Sequence, residues 1–128
     1  MKILGVGVDI VKNDRIKILT DKKNFIFRTF TKNEKNFSKK KNTKISFFAK
    51  RFAAKESFSK SLGTGIRDDL NFKDIEILND KLGKPYFRKT KKINNLIYKK
   101  FKVKKYNLYL SISDEKDYSI AFTIIQKQ

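Results

Sequence analysis

The segment that decides the fold is residues 43–66, with the sequence TKISFFAKRFAAKESFSKSLGTGI. Apolar side chains recur in it at intervals of three and four residues, at Ile45, Phe48, Ala49 and Phe52. This spacing is typical of a helix with one apolar face. We therefore predict a long helix from Thr43 to Leu62, ended by Gly63 as a left-handed cap.

Glu56 is predicted to lie on the apolar face of this helix. It follows Ile45 by eleven residues, about 1,100° of rotation, which leaves it about 20° beyond three full turns. A buried carboxylate is costly unless it is paired or binds a metal. An ion pair with Lys60, four residues later, is one explanation. A functional role for Glu56 is the explanation that we favour.

The first ten residues, MKILGVGVDI, predict a strand. Gly5 and Gly7 clear one face of it for the close approach of a ligand or of another backbone, and Asp9 ends that face. The other face is expected in the core and consists of Leu4, Val6, Val8 and Ile10. Asp9 and Glu56 are thus two carboxylates in predicted apolar settings.

Shorter elements complete the pattern. We expect a helix over 15–19, a capping box from Thr31 to Glu34, a strand over 72–78, a strand near 86–87, a helix over 93–101, and a closing hairpin of 108–113 and 118–125. The predicted fold class is α+β, with a mostly antiparallel sheet and one long helix. A single domain over residues 1–128 is expected from the length.

The composition excludes several kinds of chemistry. The chain has no cysteine and no histidine, so disulfides, Cys/His zinc sites and imidazole catalysis are excluded. No segment resembles a secretory signal, and the apolar runs fall short of the roughly 20 residues of a membrane span. A cytoplasmic protein is expected.

The net charge of +19 favours an anionic partner, such as nucleic acid, a phosphorylated ligand or an acidic protein. An AT-rich genome, which favours Lys, Asn and Ile codons, is an equally good explanation. After the long helix, Gly63 and Gly65 can present backbone N–H groups to phosphate oxygens. Lys60 and Arg51 would add charge to such a phosphate site.

Two segments resemble those of a known family. Residues 7–16, GVDIVKNDRI, are similar to the first signature of the small bacterial holo-acyl-carrier-protein synthases, which are 4'-phosphopantetheinyl transferases. Residues 51–66 resemble the second signature. Later segments, 83–86 and the hairpin 110–121, are similar to the family's last strands. The resemblance covers nearly the whole chain and is weakest over 17–44.

The resemblance implies a 4'-phosphopantetheinyl transferase fold and a defined reaction. The family moves the phosphopantetheine arm of coenzyme A to a serine of apo-acyl carrier protein, for fatty acid and lipid biosynthesis, and releases 3',5'-ADP. Asp9 and Glu56 would hold Mg²⁺, and Glu56, Lys60 and Asp9 would be the catalytic residues. The coenzyme A contacts would come from Arg51, Lys60, Gly63, Gly65 and Pro85.

The same resemblance implies two protein interfaces. An acidic carrier protein would dock on Arg15, Lys22, Lys23 and Arg28, and homotrimers would bind coenzyme A between subunits. One position departs from the family: many members have histidine where this chain has Asp114. The alternative function is a small basic nucleic-acid-binding protein, with Tyr106, Tyr109 and Phe122 stacking on bases. Neither an RNA-recognition signature nor a helix-turn-helix pattern supports that alternative.

Overall fold

The computed structural model describes residues 2–67 and 69–128. The elements in chain order are β1 (Lys2–Lys12), α1 (Asn13–Thr20), α2 (Phe25–Thr29), α3 (Lys32–Ser38), α4 (Lys44–Leu62), a 3₁₀ turn (Phe72–Asp74), β2 (Ile77–Asn79), β3 (Pro85–Phe87), α5 (Lys91–Phe101), β4 (Tyr106–Asp114) and β5 (Tyr118–Lys127). The predicted α+β class is confirmed. None of the described helices is both long enough and apolar enough to cross a bilayer.

Two antiparallel sheets surround the long helix. The larger has the strand order β1-β5-β4, so the first strand pairs with the last, and the smaller pairs β2 with β3. The predicted hairpin is β4 and β5, and its register places Asp114 opposite Ser119. Helix α4 packs against β1 and β5, which brings the start and the end of the chain to one side of it.

Helix α4 confirms the prediction for the segment quoted first. It ends at Gly63, whose φ of 80° is left-handed, as expected of a C-terminal glycine. The apolar stripe is broader than predicted, because α4 lies between the large sheet and helices α1 and α3 and is buried on most sides. Most of the buried aromatic side chains pack around this helix: Phe30, Phe47, Phe48, Phe52, Phe58 and Phe87.

The prediction for the two faces of β1 is wrong. Val6, Val8 and Ile10, expected in the core, are 52%, 49% and 61% exposed. Leu4 is partly buried against the core, where the register with β5 is irregular between Ile3 and Gly5. The glycine-containing face of β1, rather than the face with β-branched side chains, is the face that packs inward.

The reason is the close approach of β1 to α4. A Cβ atom on Gly7 would lie 1.9 Å from the carbonyl oxygen of Ser57, and one on Gly5 would lie 2.0 Å from that of Ser61. Both distances are far below contact distance, so only glycine fits at either position. The glycines therefore receive a helix backbone, one of the two possibilities that the sequence left open.

The strand predicted over 72–78 is only partly correct. Residues 72–74 form the 3₁₀ turn, closed by reciprocal hydrogen bonds between Asn71 and Asp74, and β2 begins at Ile77. The carbonyl oxygens of Phe72 and Ile75 both accept hydrogen bonds from Lys55 on α4. These bonds tie the segment before Ile77 to helix α4.

Candidate active site

Asp9 and Lys60 meet at the edge of the β1–α4 contact. The Lys60 Nζ donates to Asp9 Oδ1 at 3.0 Å and to the carbonyl oxygen of Val8 at 3.1 Å. The Asp9 side chain is 14% exposed, whereas that of Lys60 is 52% exposed. Lys60 is therefore a partly solvated cation fixed beside a largely buried carboxylate. It pairs with Asp9 and not with Glu56, the partner considered from the helical spacing.

Glu56 lies one helical turn before Lys60 and is half-buried. Burial raises the pKa of its carboxyl group, and the negative charge of Asp9 raises it further. The positive charges of Lys60 and Arg15 oppose this increase in the pKa of Glu56. The carboxylates of Asp9 and Glu56 thus repel each other, and the cations of Lys60 and Arg15 are close enough to offset part of that repulsion.

This set of groups fits a magnesium ion. Mg²⁺ prefers oxygen ligands and usually takes one or two carboxylates together with substrate phosphates and water. No cluster of three or more potential metal ligands occurs in residues 2–67 and 69–128, so Asp9 and Glu56 would be the only side-chain carboxylates of such a site. A divalent cation between them would remove the repulsion that raises the pKa of Glu56.

Arg51 and Pro85 line a different pocket, about 210 Å³ in volume, together with Asp114. Arg51 precedes Glu56 by five residues, which is about 500° of rotation or about 140° around the helix. One copy of the chain therefore does not bring Arg51 and Pro85 together with Asp9 and Glu56. Lys41 and Lys50 also border this pocket, so its lining is basic despite Asp114.

Arg51 is 5% exposed, and its guanidinium has few polar partners within the described residues. Its Nη2 donates to Asn79 Oδ1, its guanidinium lies 4.7 Å from the centre of the Phe47 ring, and its buried Nε has no partner within the described chain. Burial lowers the pKa of Arg51 to about 10, and the charge of Glu34 opposes that change. Arg51 remains charged at neutral pH and presents an incompletely satisfied donor set.

The glycine turn after α4 does not present its amides as predicted. Gly63 N donates to Lys60 O at 2.9 Å and Gly65 N donates to Ser59 O at 3.2 Å. Both amides complete the end of the helix, so neither is free for a phosphate oxygen. Both glycines have positive φ, 80° and 73°, and this conformation explains why glycine occurs there.

The four residues expected to dock an acidic protein lie on α1, α2 and the turn between them. Arg15, Lys22, Lys23 and Arg28 are all exposed. Arg15 also lies over the Phe52 ring at 5.8 Å and is near enough to Glu56 to affect its pKa. It therefore connects the basic surface to the carboxylate pair, a role that its position in the sequence did not indicate.

Lys55 was not singled out from the sequence, although it is one of the most buried residues. Its Nζ donates to Glu34 Oε1 at 2.7 Å and to the carbonyl oxygens of Phe72 and Ile75 at 2.9 and 2.6 Å. Both Lys55 and Glu34 have side chains that are 0% exposed. The only available signal was the capping box, since Glu34 is its acidic member and is fixed by Thr31.

Tyr106 removes part of the support for a nucleic-acid-binding surface. It is 2% exposed, and its hydroxyl donates to Asn94 Oδ1, so its ring cannot stack on a base. Tyr109 and Phe122 are exposed on the outer face of the large sheet.

Comparisons with known proteins agree with this arrangement. Residues 5–123 match the model of the 4'-phosphopantetheinyl transferase superfamily. The holo-[acyl-carrier-protein] synthase of Pelagibacter ubique is 56% identical over 128 residues, which is 100% of both chains.

Two solved structures have the same fold. The holo-[acyl-carrier-protein] synthase of Neisseria meningitidis has a TM-score of 0.87 and 36% identity, over 98% of this chain and 100% of that one. The Bacillus anthracis synthase, solved in complex with coenzyme A (3',5'-ADP), has a TM-score of 0.82 and 34% identity, over 98% of each chain. The chain belongs to the 4'-phosphopantetheinyl transferase superfamily and, within it, to the holo-[acyl-carrier-protein] synthases.

Proposed function

We propose that this protein transfers the 4'-phosphopantetheine group of coenzyme A to a serine of an apo-acyl carrier protein. The reaction would supply carrier proteins for fatty acid synthesis in the cytoplasm, with residues 1–128 acting as one domain. The observation that carries the proposal is the repelling pair Asp9 and Glu56 with Lys60 bound to Asp9 at 3.0 Å. That combination suits a diphosphate held with a divalent cation.

The reaction is a phosphoryl-type transfer. The serine oxygen attacks the phosphorus next to pantetheine, a new P–O bond forms, and the bond to the bridging oxygen of the diphosphate breaks. The 3',5'-ADP leaves with that electron pair. Glu56 is assigned to accept the serine proton through a water molecule, because it is the carboxylate nearest the proposed diphosphate site besides Asp9, which is paired with Lys60, and the chain has no histidine.

The remaining side chains position the substrates and stabilise charge. Asp9 and Glu56 would hold the Mg²⁺, which when bound neutralises diphosphate charge. Lys60, already fixed by Asp9 and Val8, is placed to stabilise charge that develops on the transferred phosphate. Arg15 contributes positive charge at the same place. The solvated head of Lys60 can turn toward a ligand without leaving Asp9 unpaired once a cation is present.

We further propose that the nucleotide part of coenzyme A binds in the pocket of Arg51 and Pro85 on a neighbouring subunit. In one chain this pocket lies about 140° around α4 from Glu56, so a second copy is needed to bring both parts to one ligand. The unpaired Nε of Arg51 supports a polar ligand there. Asp114 would be balanced by Lys41 and Lys50 in the same lining.

The exposed apolar face of the large sheet supports a homotrimer. Val6, Val8 and Ile10 on β1 lie beside Ile120 and Phe122 on β5, and all five are exposed. A contiguous apolar surface of this kind is typical of a protein–protein interface. A trimer would mean three copies of the 15.1-kDa chain in light scattering, and Val8→Glu should convert it to monomers that keep their fold.

The activity is tested by mass spectrometry of carrier proteins. Incubation with coenzyme A, Mg²⁺ and an apo-carrier protein should add one phosphopantetheine mass to the carrier and produce 3',5'-ADP. EDTA should abolish the addition and excess Mg²⁺ should restore it. No mass addition across a range of acidic carriers would contradict the proposed function, whereas addition that resists EDTA would contradict the metal alone.

The basic surface of α1 and α2 is proposed as the docking site of the acidic carrier. Arg15, Lys22, Lys23 and Arg28 are exposed there, and opposite charge would mainly raise the association rate. The rate should therefore fall as the salt concentration rises. A rate independent of salt would contradict docking by charge.

A further inference from the structure

Asp114 is the single acidic side chain among the described residues that line the 210-Å³ pocket containing Arg51. It is the last residue of β4, and its Oδ2 accepts a hydrogen bond from Ser46 Oγ at 3.3 Å. Ser46 lies in the first turn of α4, so this bond ties the end of the strand to the start of the long helix. The other charged side chains of the lining are cations: Lys41, Lys50 and Arg51.

The negative charge of Asp114 is not cancelled by a direct ion pair. Within residues 2–67 and 69–128, the salt bridges involve other carboxylates: Asp9, Glu34, Asp69, Asp74 and Glu76. The hydrogen bond from Ser46 fixes the carboxylate without neutralising it. Asp114 therefore acts electrostatically on any ligand that enters the pocket.

The pocket is small enough for this effect to reach every position in it. A compact space of 210 Å³ is about 7 Å across, which is shorter than the distance of about 8 Å over which physiological salt screens a charge. A phosphate monoester carries a charge of about −1.5 to −2 at neutral pH. Such a group would be attracted by the three cations and repelled by Asp114, whichever way the ligand lies.

The phosphate concerned is the 3'-phosphate of the nucleotide. In the proposed reaction the diphosphate of coenzyme A belongs with Asp9 and Glu56, so the 3'-phosphate is the phosphate left for the pocket of Arg51. The inference rests on that proposed placement of the nucleotide.

We propose that Asp114 determines how strongly this chain selects a 3'-phosphorylated nucleotide. Its charge opposes the 3'-phosphate that the cations of the lining attract. The pocket therefore prefers nucleotides with a 3'-phosphate less than its cations alone would make it. Asp114 acts on specificity and takes no part in the chemical step.

The first test compares two nucleotides that differ only in the 3'-phosphate. Isothermal titration of the full-length protein with 3',5'-ADP and with 5'-AMP measures binding without turnover. Asp114→Asn removes the charge but keeps an oxygen that can accept the hydrogen bond from Ser46. It should raise the affinity for 3',5'-ADP about fivefold and that for 5'-AMP less than about twofold. Equal changes for the two nucleotides, or no change for either, would overturn the proposal.

Two further variants separate this pocket from the general charge of the protein. Asp117→Asn makes the same chemical change at an exposed position outside the lining, in the turn between β4 and β5, and should alter the affinity for 3',5'-ADP less than about twofold. An equal effect of Asp117→Asn and Asp114→Asn would refute a specific role for Asp114. Lys50→Gln should weaken 3',5'-ADP binding several-fold. An unchanged affinity in Lys50→Gln would place the phosphate outside this pocket and overturn the proposal.

The outcomes also distinguish this inference from the proposed function. If the wild-type protein binds neither nucleotide, the inference and the placement of the nucleotide fail together, while the carrier-protein assay still decides the transferase activity. With active enzyme, the ratio of kcat/KM for coenzyme A to that for its form without the 3'-phosphate should rise about fivefold in Asp114→Asn. An unchanged ratio in an active variant would overturn the role of Asp114 alone.

Discussion

The substitution Lys55→Met tests whether a buried ion pair keeps the active-site helix in place. Methionine has a volume close to that of lysine and fills the same space, so the change removes charge and hydrogen bonds rather than packing. The Lys55 Nζ uses all three of its donors, on Glu34, Phe72 and Ile75. The variant therefore leaves a fully buried carboxylate without its cation and two carbonyl groups without these donors.

The expected cost follows from those three losses. Removing one partner of a buried pair typically costs about 3–5 kcal/mol. Glu34 keeps hydrogen bonds from the backbone amides of Thr31 and Ile77, at 2.9 and 3.1 Å, which reduces the cost of leaving its charge buried. We therefore expect a loss of about 4 kcal/mol, a large part of the roughly 5–15 kcal/mol by which a domain is stable.

The measurement is urea unfolding followed by circular dichroism at 222 nm, because the chain contains no tryptophan. Lys44→Met, at an exposed position on the same helix, is the matched control and should change stability by less than about 0.5 kcal/mol. The double variant Lys55→Met/Glu34→Gln should recover part of the loss, since it no longer buries an unpaired charge. A loss below about 1 kcal/mol for Lys55→Met would refute the reasoning.

Three further predictions concern the site and its supports. Glu56→Gln should lower transferase activity at least about 100-fold. Because the pKa of Glu56 is raised in the folded state, its protonated carboxyl group contributes stability that is lost as the pH rises through the folded-state pKa. The variant should therefore lose less stability than the wild type between pH 4 and 8 in urea unfolding without metal. Gly7→Ala should impair folding in thermal scans, since its Cβ would overlap a helix carbonyl oxygen at 1.9 Å, whereas Gly83→Ser, which meets no atom within 4 Å, should bear only the cost of its positive φ. Lys22→Gln/Lys23→Gln should raise KM for the carrier protein several-fold in steady-state kinetics and leave KM for coenzyme A unchanged; equal changes in both would contradict docking at these lysines.

Much of the fold was predictable because local signals were strong. The period of α4, its glycine end and the capping box of Thr31 and Glu34 all depend on residues within a few positions of each other. The segment 72–78 was not predictable in the same way. Asn71 and Asp74 close its 3₁₀ turn, and the carbonyl oxygens of Phe72 and Ile75 also accept hydrogen bonds from Lys55, which is distant in sequence and which no local pattern reports.

In the candidate site, too, local signals were predictable and contacts between distant segments were not. Asp9 and Glu56 were found because each is a carboxylate in a predicted apolar setting, and the structure brings their charges close enough to interact. Helical spacing suggested Lys60 as a partner of Glu56, but β1 passes close enough for Asp9 to take it instead. Arg15 was assigned only to docking because its distance from Glu56 depends on how α1 packs against α4.

Gly5 and Gly7 of β1 account both for the wrong prediction of which β1 face is buried and for the apolar face that we propose as a subunit interface. Alternation alone assigns the β-branched face of a strand to the core, because side-chain burial is the usual source of stability. Gly5 and Gly7 reverse that assignment, since they allow α4 to pack backbone against backbone at a distance that no side chain permits. The β-branched face is then left exposed on the outside of the sheet. Val8 and Asp9 are consecutive, so their side chains point to opposite faces of β1: Val8 lies on the exposed apolar face, and Asp9 lies on the face toward α4, where it pairs with Lys60. The same two glycines thus place Asp9 beside α4 and leave the apolar face of the large sheet exposed, which is the face proposed above as a subunit interface.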